Sequence, residues 1–101
     1  MPKIFEYLGF TFLFYANDHL PVHVHVQYGE FESKVIFMYE EGKLKSLVYK
    51  NVKRKTAIPS DKQKEVNKFL KKYHSKVIEK WNDFFVYNKT VKCEAINTKV
   101  K

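Results

Sequence analysis

The sequence predicts an α+β domain: an antiparallel β-sheet of about four strands over residues 10–49, with one long α-helix over about residues 60–85 packed on one face. Three observations carry this expectation. Residues 22–28 alternate strictly, with Val22, Val24, Val26 and Tyr28 on one side and His23, His25 and Gln27 on the other, the period of a half-buried strand. Gly29-Glu30 and Glu41-Gly42 interrupt such runs where hairpin turns belong. From Val66 onward the apolar residues return at steps of three and four, as on one face of a helix.

Taken in order, residues 3–8 read as an edge strand or an extended lead-in, and Gly9 breaks the chain. Phe10 to Tyr15 is aromatic and β-branched, a buried strand. Asn17-Asp18-His19 followed by Pro21 reads as a loop. A two-residue turn at Gly29-Glu30 pairs Tyr28 with Phe31, Val26 with Ser33, Val24 with Val35 and Val22 with Phe37. The opposite face then pairs Gln27 with Glu32, His25 with Lys34 and His23 with Ile36. A slip of one residue would bury histidines against valines, so the pattern specifies the register. After the second turn, Tyr39 is expected opposite Leu44, Phe37 opposite Ser46 and Val35 opposite Val48.

Lys50 to Lys55 forms a basic loop containing Lys53, Arg54 and Lys55. Ser60 with Gln63 three residues later suits a capping box, and Asp61 suits the positive end of the helix dipole. The stripe Val66, Phe69, Leu70, Tyr73, Val77, Trp81 and Phe84 is core. A helix over 60–85 would be roughly 39 Å long, so one end is expected to overhang or kink. Residues 90–96 offer a candidate fifth strand with Val91, Cys93 and Ala95 on one side, and the tail from about 97 is expected to fray.

Length bounds the architecture: 101 residues make a single domain with one modest core. A lone cysteine, Cys93, excludes an internal disulfide framework and fits a reducing cytosol. The start carries no signal-peptide pattern, and the longest apolar run is too short to span a bilayer, so a cytoplasmic, soluble protein with no membrane partner is expected. The formal net charge is +8, from nineteen basic residues of which only Arg54 is arginine. Such a balance favours a polyanion partner such as RNA, or an acidic protein. It is also what a solubilising lysine surface looks like, since arginine is the better reader of phosphates and bases.

Three of the four histidines fall within seven residues, His19, His23 and His25. Two steps along a strand separate the roots of His23 and His25 by about 7 Å on one face. Two readings compete with a merely decorated sheet face. A metal would take His23 and His25 with a third ligand from His19, Asp18 or Glu32, although no Cys-x-x-Cys or His-Glu-x-x-His motif supports it. A metal-free, cofactor-free site would use His23 and His25 as base and acid, with Lys34 across the strand supplying charge to a phosphorane. In that reading Tyr49 lies on the same face one strand on, and His19, Tyr49, Lys53, Arg54 and Lys55 complete the binding surface. On the helix, Lys64, Lys68, Lys72, Lys76 and Lys80 form an i, i+4 series, either a polyanion-facing row or a solvated face.

Asp18-His19-x-Pro21-x-His23-x-His25-Val26-x-Tyr28-Gly29, with an aromatic strand before it and a helix ending in Lys80-Trp81 after it, resembles a bacterial family catalogued as domain of unknown function 4160 (DUF4160). The resemblance covers residues 2 to about 85. Val22 stands where the family's second proline is usual, and Val24 where phenylalanine is usual; neither change removes a histidine. His19, His23, His25, Tyr28 and Gly29 match the motif. The resemblance implies a small bacterial protein whose gene often neighbours that of another small protein, similar to toxin–antitoxin pairs. It implies no defined activity. The leading expectation is therefore a toxin-like component of a two-gene module, acting as a metal-free ribonuclease and paired with an antitoxin-like partner. The alternatives are a non-enzymatic module that binds nucleic acid or an acidic protein, and a small histidine-based metal-binding protein.

Overall fold

The computed structural model describes residues 2–15 and 22–101. Six strands form one sheet: β1 (Lys3–Tyr7), β2 (Phe10–Leu13), β3 (His23–Tyr28), β4 (Phe31–Glu40), β5 (Lys43–Asn51) and β6 (Glu94–Ile96). One helix, α1 (Ser60–Trp81), runs into a π-helical turn over Asn82–Val86. The strand order is β5-β4-β3-β2-β1-β6. The sheet is mixed, antiparallel throughout except where β6 joins β1 in parallel. The expected antiparallel sheet of about four strands is thus corrected at one side, where β1 and β6 extend it. β6 follows a helical crossover rather than a hairpin, which is how a parallel neighbour is reached.

The β3–β4 hairpin has the register that the alternation dictates, Val24 opposite Val35 and His25 opposite Lys34. Gly29 opens its turn at φ 59, with open space where a Cβ would stand. The backbone angle, not crowding, calls for glycine there. The β4–β5 pairing departs from expectation. Tyr39 faces Leu44, but a bulge beyond it puts Met38 opposite Ser46, Phe37 opposite Leu47 and Val35 opposite Tyr49. Lys45 is the extra residue, and it turns the rest of β5 over by one position.

The valine face takes the helix. Phe12, registered with Val26, stacks on Phe69 at 4.7 Å, and Phe69 also meets Tyr7 and Phe5. Val66, Phe69, Leu70, Val77 and Trp81 are the buried helix positions, and Tyr73 and Phe84 pack beside them. The predicted capping box does not form: no side chain caps the helix, and the Pro59 carbonyl accepts from the Lys62 and Gln63 amides. The Gln63 side chain instead donates to the Ile58 carbonyl at 2.9 Å. At the other end the expected irregularity is the π turn, closed by the Tyr87 amide on the Asn82 carbonyl.

The C-terminal segment is tied down rather than frayed. Val100 is buried, and its amide donates to the Tyr7 hydroxyl at 2.9 Å. Before it, Val91 and Ile96 pack on the core while Cys93 and Ala95 are exposed, so Val91 does not share a side with the other two as expected. No described helix is long and apolar enough to cross a membrane.

Candidate functional site

On the sheet face away from the valines, β3 contributes His23, His25 and Gln27, and β4 contributes Glu32 and Lys34. The register sets Gln27 directly against Glu32, and His25 between Leu13 and Lys34. Glu32 is the hub. One of its oxygens accepts from the Tyr15 hydroxyl at 2.8 Å and lies 3.3 Å from His25 Nδ1. The other accepts from Gln27 Nε2 at 3.0 Å. An ionised carboxylate only accepts, so this contact calls for a proton on His25 Nδ1.

Aromatic rings close around the pair. Tyr15 stands edge-on to His25 at 4.0 Å, His23 meets His25 at 5.5 Å, and Trp81 meets His23 at 5.2 Å. His23 is 1% exposed, His25 4% and Glu32 2%. The sequence placed the two histidines on a solvated face or in an open groove beside Lys34; the structure corrects this. The pleat does put them together on one face, but that face is buried too. Lys34, opposite His25 as expected, is half-buried.

The other site candidates divide. Tyr49 does not share the histidine face. The bulge at Lys45 turns it toward α1, where its hydroxyl donates to Asn67 Oδ1 at 2.6 Å and contacts the Gln63 carbonyl at 3.3 Å. Burial pushes its phenol well above the ordinary range. Lys53, Arg54 and Lys55 are exposed in the turn after β5, with Arg54 in the left-handed region at φ 66. His19 and Asp18 lie outside the described residues. Among those described, no three His, Cys, Asp or Glu side chains gather as a metal site. Sequence reasoning weighed Glu32 only as a metal ligand, although the predicted register already set it beside Gln27. Tyr15 and Trp81 left no signal as site residues, because their approach to the histidines is made by tertiary packing.

The helical lysine row is not one uniform surface. Lys76 and Lys80 both reach Glu94, at 3.6 and 2.9 Å, and Lys80 also donates to the Lys92 carbonyl at 2.8 Å. The Lys80 hydrogen bond holds the Glu94 carboxyl below its usual range. Lys64, Lys68 and Lys72 stay exposed. His74 bonds the Tyr39 hydroxyl at 3.2 Å. Cys93 is exposed, and local burial and Glu6 raise its thiol, the wrong direction for a nucleophile.

Open grooves among the described residues lie apart from the histidine pair. One, about 640 Å³, lies at the π turn between Pro2, Phe84, Phe85 and residues 88–91. Another, about 330 Å³, lies between β5 and α1. The histidine cluster itself is an enclosed polar knot rather than a cleft.

Comparison with known proteins adds one finding. A family described as Domain of unknown function (DUF4160) matches residues 9–82. No curated protein and no solved structure matches. The matched span contains Tyr15, His23, His25, Gln27, Glu32, Lys34 and Trp81, the residues that meet at the knot.

Proposed function

The chain belongs to the DUF4160 family, and from that premise we propose that it is a small basic enzyme, a metal-free acid–base catalyst acting on RNA as the toxin-like half of a two-gene module. The observation that supports this reading is the Glu32–His25 contact at 3.3 Å, with the His23 ring 5.5 Å from His25. A carboxylate holding one imidazole nitrogen orients the ring and stabilises the imidazolium that forms when the other nitrogen takes a proton. His25 Nε2 then serves as base toward a ribose 2′-hydroxyl. The 2′-oxygen bonds to phosphorus as the bond to the 5′-oxygen breaks, and protonated His23 supplies the proton that the leaving oxygen needs. The products are a cyclic phosphate and a free 5′-hydroxyl. Lys34 offers positive charge beside His25, and the net charge of +8 draws a polyanion.

The test is cleavage of single-stranded RNA by the purified chain in chelator, alongside growth on induced expression. Wild type should cleave, and His25→Gln and His23→Gln should lose activity by at least about a hundredfold while circular dichroism stays native. Equal behaviour of wild type and folded variants refutes the catalytic assignment.

One observation favours a second reading, a non-enzymatic module. Both imidazoles are nearly inaccessible, and buried polar groups satisfied by neighbours also serve to fix a unique core. In that case RNA is bound without cleavage, and the histidine variants lose stability rather than activity.

A further inference from the structure

β5 ends the sheet, and no described strand pairs with its outer edge. It is long for an edge strand, nine residues from Lys43 to Asn51, and past the bulge at Lys45 it runs regularly from Ser46. A free edge presents unpaired backbone donors and acceptors, a ready template for another strand. Alongside it lies the groove of about 330 Å³, lined by Gly42, Ser46, Leu44 and Leu47 with Lys43, Lys45, Lys71 and His74. No acid is among the lining residues; Glu40 ends β4 and Glu41 begins the turn, and neither lines the groove. Lys43, Lys45 and Lys71 are exposed, and Leu44 and Leu47 are half-buried.

We propose that the β5 edge and its lysine groove form a docking site for an acidic, extended segment of a partner protein, which adds to the sheet as a further strand. The chemistry selects a peptide over RNA. Main-chain groups along an edge are satisfied by another main chain, and the leucine floor accepts alternate apolar side chains. The lysines then meet carboxylates on the flanking positions. RNA recognition would want aromatic faces for base stacking and arginine forks; the lining holds no arginine, and its one ring, His74, is bonded to the Tyr39 hydroxyl. This surface is independent of the histidine cluster: Lys34 and the β3 histidines are not among its lining residues.

The probe is a fluorescein-labelled peptide alternating glutamate and valine, titrated into the full chain by anisotropy. Wild type should bind saturably. The triple variant Lys43→Glu, Lys45→Glu, Lys71→Glu, all at exposed positions, should weaken binding at least about tenfold. A peptide of the same sequence with alternate backbone nitrogens methylated should weaken it comparably, because it cannot extend the ladder. Amide exchange at Ser46 to Asn51 should slow on addition of the unmodified peptide. Unchanged affinity in the triple variant overturns the site. Equal binding of the methylated peptide overturns strand addition, and oligouridylate displacing the peptide at lower concentration than it binds overturns the choice of partner.

Discussion

Replacing Glu32 with alanine tests the knot on which the candidate site depends. The carboxylate accepts from Tyr15, His25 and Gln27. The His25 contact is the most enclosed, with side-chain exposures of 6% for His25 and 2% for Glu32. Gln27 and Tyr15 are only partly buried and can turn toward water, so their losses count for less. Each orphaned buried donor costs about 1–3 kcal/mol, the His25 one in full and the partly buried Tyr15 and Gln27 ones in part. The expected loss for Glu32→Ala is therefore about 3–4 kcal/mol. A domain of this size holds roughly 5–15 kcal/mol in total. With a urea slope of about 1–3 kcal/mol per molar, the midpoint should fall by about 1–4 M. Glu32→Gln keeps one acceptor and should lose less. The exposed Glu30→Ala, two residues away, is the control and should stay within about 0.5 kcal/mol of wild type. A Glu32→Ala midpoint indistinguishable from that of Glu30→Ala would refute the hub. So would additive effects of Tyr15→Phe and Glu32→Gln in a double-mutant cycle, where direct contact predicts coupling of about 0.5–3 kcal/mol.

Trp81→Ala should cost about 3–5 kcal/mol, since the ring is 3% exposed between Phe14, Phe85 and His23; chemical denaturation reads this directly. Tyr7→Phe should cost about 0.5–1.5 kcal/mol and speed amide exchange at Val100, whose amide donates to the lost hydroxyl. Gly29→Ala should destabilise through its φ of 59 alone, by about 1 kcal/mol, because nothing stands where the methyl would go. Tyr49 gives a pH signature. Its phenol is raised from 10.0 by burial, so the folded state keeps that proton more tightly than the unfolded state. Its stabilisation is complete below about pH 10 and is lost as pH rises beyond. Tyr49→Phe should be weaker at neutral pH, through the lost Asn67 hydrogen bond, and should fall less steeply between pH 10 and 11; parallel slopes would contradict the burial.

How far the sequence could be read depended on whether a feature was local. The β3–β4 register followed from alternation, because one slip would reverse every side chain from Val22 to Tyr28. The helix followed from its stripe. The bulge at Lys45 had no such signature: Leu44 and Leu47 are apolar at either register, and the shift becomes visible only when Tyr49 finds Asn67 and Gln63 on α1. β1 and β6 were underestimated for a similar reason. Three residues of strand at Glu94–Ile96 carry little periodicity, and their pairing with Phe5 to Tyr7 joins opposite ends of the chain.

The histidines make the more instructive case. Alternation separates two faces, but it does not say that the polar one is wet. Leu13, on the same face as His25, was the clue that this side also packs. A buried imidazole is tolerable only where a partner accepts its proton, and in the expected register Glu32 already stood one position along from His25 on the neighbouring strand. His-x-His on one strand with a carboxylate on the same face of the next therefore argues for an enclosed, oriented imidazole rather than a solvated decoration. Both the catalytic and the structural readings need that enclosure, and they separate on one property, whether His25 Nε2 meets substrate. Replacing His25 distinguishes them. If Nε2 is a working base, folded His25→Gln should lose cleavage, whereas a purely structural imidazole should cost stability on replacement with no activity to lose.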